Sequence, residues 1–101
     1  MTFEIQLEED DNTLLLSGRF SFDNAKLAKL QGEELINTLS TIRIDLANVL
    51  QPDSSLLILL SAWMRIAKKQ HKDICFCNLP RHLEDLIRVS GLDTILPIEN
   101  I

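Results

Sequence analysis

Positive charge, glycine, cysteine and long apolar runs are all scarce in this sequence, and each shortage removes a class of function. Ten Lys and Arg stand against 15 Asp and Glu among 101 residues, a formal net charge of −5. A surface that grips a phosphate backbone needs the opposite balance, so no nucleic-acid partner is expected. The three glycines, Gly18, Gly32 and Gly91, are scattered and build no phosphate-cradling loop. The two cysteines stand as Cys75-Phe76-Cys77, too few for a disulfide framework and badly placed to bridge within an extended strand. Such usage points to a reducing compartment. The longest unbroken apolar run, Leu56–Leu60, is far short of the roughly 20 residues of a membrane helix. Met1–Asp11 has neither the basic nor the apolar region of a targeting segment. No membrane insertion is expected, and any membrane role would come through a partner. His71 and His82 lie at no metal-ligand spacing from a carboxylate or cysteine, and no nucleophile–base pair is visible. No catalytic residue, metal or cofactor is therefore expected.

What is present is enough apolar sequence, 46%, to bury one core in one domain over residues 1–101. Phe3, Ile5 and Leu7 alternate with Glu4, Gln6 and Glu8, the period of a half-buried strand. The acidic turn Glu9-Asp10-Asp11-Asn12, read as solvated, returns the chain through Thr13–Leu16 into an antiparallel hairpin closed by Gly18. From about Asp23 the period becomes helical, with Ala25, Ala28, Gly32, Leu35, Ile36 and Leu39 on one face. Gly32 on that face costs about 1 kcal/mol of helix propensity, which predicts a close approach by a neighbouring element.

Ile42, Ile44 and Leu46 form a third strand, and the Leu50–Ser55 loop feeds a helix running to about Gln70. At about 100° per residue, Leu56, Leu59, Leu60, Trp63, Ile66 and Ala67 gather on one side of it, with Ser61, Arg65, Lys68 and Lys69 opposite. A fourth strand, Asp73–Cys77, carries the two thiols on one face, where they read as small hydrophobes. Pro80 opens a last helix with Leu83, Leu86, Ile87 and Ser90 at helical spacing, Gly91 at the left-handed C′ position and Leu92 as its apolar contact. Ile95–Ile98 reads as a final edge strand. The expected class is α/β: a mixed sheet with an N-terminal antiparallel hairpin and helices packed against it.

Pro52-Asp53-Ser54-Ser55 at the mouth of the second helix is the one polar constellation that stands out. Asp and Ser cap helix N-termini because their oxygens accept from the unpaired N–H groups of the first turn. Capping accounts for one of these three polar residues. Ser54 shares a stripe with Ile58, Ser61 and Arg65, opposite Trp63, and Leu57 lies at the margin of that surface. Plain capping and a docking surface both remain open. The hydroxyl, the neighbouring acid and the two outward apolar residues favour docking through Asp53, Ser54, Ser55, Leu57 and Ile58.

Leu16-Ser17-Gly18 with Ala25 seven residues on, Ile44-Asp45-Leu46, Asp53-Ser54-Ser55 and Ser90-Gly91-Leu92 occur in the order and spacing of a STAS domain, and the chain resembles that family nearly end to end. The resemblance implies a mixed sheet flanked by helices. In the anti-sigma-factor antagonists of the family, the position of Ser54 is a phosphoacceptor, which implies a regulatory serine here. Leu56 stands where those proteins commonly have Gly, and Ser21 where they often have an acid. Ala67-Lys68-Lys69-Gln70 after a Leu-rich helix is nearer to the STAS subunit of Mla-type phospholipid ABC transporters. That likeness implies a non-enzymatic cytoplasmic subunit, peripheral to the inner membrane, that docks on and regulates the transporter's ATPase. The alternative it leaves is an anti-sigma-factor antagonist whose partners are an anti-sigma factor and a serine kinase.

Overall fold

The computed structural model describes residues 2–99. In chain order it contains β1 (Phe3–Glu8), a 3-10 turn (Glu9–Asp11), β2 (Thr13–Gly18), α1 (Ala25–Thr38), β3 (Thr41–Val49), α2 (Ser54–Lys69), β4 (Asp73–Cys77), α3 (Arg81–Val89) and a second 3-10 turn (Leu92–Thr94). The four strands lie in the order β1-β2-β3-β4; the opening hairpin is antiparallel, and β2, β3 and β4 are parallel. The sheet is mixed, as the strand–helix–strand periodicity requires. Because each crossover steps the same way along the sheet, right-handed connections carry α1 and α2 to the same face.

That face is apolar. Leu7 sits opposite Leu14, Leu14 opposite Ile44 and Ile44 opposite Phe76, a continuous row across all four strands. With Trp63, Leu56 and Leu60 of α2, Ala28 and Ile36 of α1, and Leu83 and Ile87 of α3, Leu14, Ile44 and Phe76 join one buried cluster, against which the half-buried Leu7 packs. The hairpin turn works because Asn12 takes the left-handed conformation, φ 52°, which Asn tolerates better than other side chains.

Gly32 meets its neighbour as its placement in the helix predicts. A Cβ there would stand 2.4 Å from two ring carbons of Trp63, and the indole N–H donates to the Lys29 carbonyl at 3.2 Å. The missing side chain is what lets α1 and α2 close. Gly91 takes φ 78° after α3; its N–H donates to the Arg88 carbonyl, and Leu92 packs on the core beside it.

The final edge strand is smaller than the sequence suggests: Ile98 makes a single parallel bridge to Phe76. The Phe76 N–H donates to the Pro97 carbonyl and the Glu99 N–H to the Phe76 carbonyl. In a parallel ladder the next bond back toward Ile74 falls to the N–H of residue 97, which proline lacks. The pairing therefore stops, and Ile95, assigned to the strand, is exposed instead.

Candidate docking site

The site lies where β3 hands the chain to α2. Pro52 is buried and Asp53 is extended, φ −137° and ψ −170°, as an N-cap should be. Its Oδ1 accepts the Ser55 N–H at 2.9 Å and also faces the Ser55 hydroxyl. That hydroxyl lies 3.1 Å from the Phe20 carbonyl. One proton is thus held between two acceptors, one in its own loop and one on the β2–α1 connection. Leu50 reinforces the join, donating its N–H to the Gly18 carbonyl at 2.8 Å. The loops that follow parallel strands β2 and β3 are stitched together at one end of the sheet.

These contacts divide the five residues nominated from the sequence. Ser54 is exposed, and its hydroxyl makes no hydrogen bond among the described residues. Ile58, one turn on, is 58% exposed. Asp53 is half-buried, engaged in capping, and reaches the rim only in part. Ser55 and Leu57 correct the expectation: both are buried, at 2% and 6% exposure. Ser55 turns inward to the Phe20 carbonyl, and Leu57 lies about 300° round the helix from Ser54, where it enters the same cluster as Met64, Leu83 and Leu96. α2 is enclosed on both flanks, so its outward strip is narrower than a surface helix's.

Two exposed apolar residues that the sequence reading did not nominate lie on the stitched loops, Leu50 at 53% and Phe22 at 65% exposure. Their only signal was an apolar residue inside a turn segment with no periodic reason to be there. Around Ser54 the structure therefore presents a free hydroxyl at the positive end of a helix dipole, whose first-turn N–H groups of Ser55 and Leu56 are capped by Asp53, and bulky apolar side chains in water. An accepting atom on a partner fits the hydroxyl, and an apolar surface fits its surroundings. Nothing in the arrangement supplies an acid–base pair.

Elsewhere, a polar groove of ≈ 620 Å³ bordered by Glu84, Arg88, Asp93 and Glu99 touches none of the nominated residues. Among the described residues no group of three His, Cys, Asp or Glu is placed to hold a metal ion. No helix there is long and apolar enough to cross a membrane. On the sheet face away from the helices, Arg43 donates through Nε to the Cys77 sulfur at 3.2 Å and pairs with Glu99 at 2.9 Å. The Cys75 thiol donates to the other Glu99 oxygen at 3.5 Å. Burial, then the Glu99 carboxylate, pushes the Cys75 thiol up; burial pushes Cys77 up against the opposing pull of Arg43. Both thiols are held toward the protonated form; Cys75 donates to Glu99, and the Cys77 sulfur accepts from Arg43.

A four-stranded mixed sheet with helices packed on one face, its central helix opening on an exposed serine, defines a small α/β domain. The family model described as "Mlab, STAS domain" matches residues 3–97, and the chain belongs to that STAS domain family. Comparison with curated proteins finds no match. Among solved structures, the anti-sigma factor antagonist SpoIIAA in its unphosphorylated form superposes with TM-score 0.73 at 16% identity, over 98% of this chain and 89% of that one. The Bacillus SpoIIAA in its phosphorylated form gives 0.68 at 16%, over 98% and 92%. An anti-sigma factor antagonist from Mycobacterium paratuberculosis gives 0.75 at 17%, over 99% and 87%. At these identities the likeness is one of fold.

Proposed function

We propose that this STAS domain is a non-enzymatic binding subunit that docks, by the Ser54 end of α2, on the ATPase of a phospholipid-transporting ABC system. It regulates that ATPase from the cytoplasmic side, peripheral to the inner membrane through the complex. The observation that carries the reading is the outward placement of Ser54 and Ile58 on a helix whose other apolar side chains serve the core. Covering exposed apolar surface contributes about 25 cal/mol per Å², and the Ser54 hydroxyl supplies direction. The family to which the chain belongs is the one described as Mlab, which agrees with the transporter subunit that its sequence resembles. The deciding experiment co-purifies the full chain with an ABC-type ATPase encoded beside it and follows ATP hydrolysis. A stable complex with an altered rate supports the proposal, and free components with an unchanged rate sink it.

The second reading, an anti-sigma-factor antagonist switched at Ser54, draws on the structural neighbours, one of them phosphorylated. A phosphate on Ser54 would add about −1.5 to −2 charges. It would rest acceptably on its own helix N-terminus while opposing an apolar partner. Phosphotransfer from a serine kinase that disappears in Ser54→Ala would favour this reading over the transporter.

A further inference from the structure

The outward strip of α2 does not end at Ile58. Arg65, Lys68 and Lys69 continue it, all exposed, and the helix contains no acidic residue. α2 thus holds +3 while the remainder of the chain holds −8, together the −5 of the whole. The ion pairs among the described residues are Arg43–Glu99 and Arg88–Asp85, so none of the three cations on α2 is paired there. A helix face that merely meets water usually mixes signs, with an acid one turn before each base. Here those positions hold Ser61, Met64 and Arg65. Lys68 and Lys69 suit the negative end of the helix dipole, but that effect is confined to the last turn and does not explain Arg65.

We infer that the strip from Ser54 to Lys69, roughly 22 Å long, is one footprint, and that the partner protein faces Arg65, Lys68 and Lys69 with carboxylates. This rests on the docking proposed above and adds the chemistry of the partner's surface. An anionic membrane is the poorer occupant. A helix that lies in a lipid interface needs a broad apolar face in the bilayer, whereas the apolar side of α2 is committed to the core and only Ile58 is strongly exposed. Opposed charges along an interface act mainly on encounter, and apolar contacts at its centre act mainly on release.

The test uses the full chain and the ABC ATPase, with association and dissociation rates measured from about 50 to 300 mM salt, a range over which screening tightens several ångströms. Association of the native chain should slow as salt rises. The charge reversal R65E/K68E/K69E should slow association about tenfold or more at low salt and flatten or invert the salt dependence. Ile58→Ser, which adds no charge, should instead speed dissociation and leave the salt slope in place. Should the triple variant melt early, Arg65→Gln with Lys68→Gln gives the same readout in weaker form. A complex indifferent to these charge changes overturns this inference alone. A native chain that never binds the ATPase overturns it together with the docking function. Flotation of the native chain with vesicles rich in anionic phospholipid, lost on charge reversal, would assign the strip to lipid and overturn the protein partner.

Discussion

Ser54 and Ser55 are the same residue type, adjacent in sequence, and about 100° apart on a helix. That rotation sends one hydroxyl into water and the other to the Phe20 carbonyl. Ile58 and Leu57 divide the same way. Ile58→Asp should therefore leave the isolated domain folded, with a melting shift of no more than a few degrees, while weakening the partner complex; unfolding of the free domain would contradict its exposure. Ser54→Glu should impair docking through charge, and an ATPase complex of native strength would remove Ser54 from the interface. Ser55→Ala is the structural contrast. It strips the hydroxyl that joins the α2 cap to the β2–α1 loop and should cost about 1 kcal/mol or more, read as a shifted denaturant midpoint. The outward serine was legible as a phase on a helical wheel. The inward one was not legible, because the Phe20 carbonyl that holds its hydroxyl lies 35 residues away in the sequence.

At the scale of elements, the α1–α2 contact is a glycine facing an indole. Trp63 is wholly buried against Gly32, and Trp63→Ala should cost about 3–5 kcal/mol, a large fraction of a typical total of about 5–15 kcal/mol. Gly32→Ala removes a helix-propensity penalty of about 1 kcal/mol yet places a methyl group inside the indole's volume. Overpacking of about 1–3 kcal/mol should win, so thermal melts should show destabilisation despite the better helix former. α1 has no basic residue in its last turn; instead Lys72, from the turn before β4, donates to the Ile36 and Asn37 carbonyls at 2.9 and 3.1 Å. The helix-terminal charge that its own sequence omits is provided from another element. The glycine's purpose was readable from its place on an apolar face, whereas its partner and the Lys72 cap were not, since neither follows from local periodicity.

For the whole molecule, the same sheet keeps an apolar face against the helices and a polar face bearing the Arg43–Glu99 pair and the thiols. Cys75 and Cys77 are both raised above the ordinary thiol range, chiefly by burial. The folded state then keeps protons that the unfolded chain releases, so stability should fall as pH rises through the ordinary thiol range and beyond. Denaturant midpoints against pH should show that loss in the native chain and less of it in Cys75→Ser/Cys77→Ser; identical profiles would contradict the assignment. Taken by itself, the sequence determined the order of strands and helices, the mixed sheet and the apolar side of each helix, because these depend on periods of two and 3.6 residues and on local turn chemistry. Only the tertiary structure decided that Leu57 and Ser55 turn inward, that the last strand shrinks to one bridge, and that Glu99 closes over the thiols. Those outcomes depend on which distant segment occupies the space beside a residue, and a helical wheel carries no information about its neighbours.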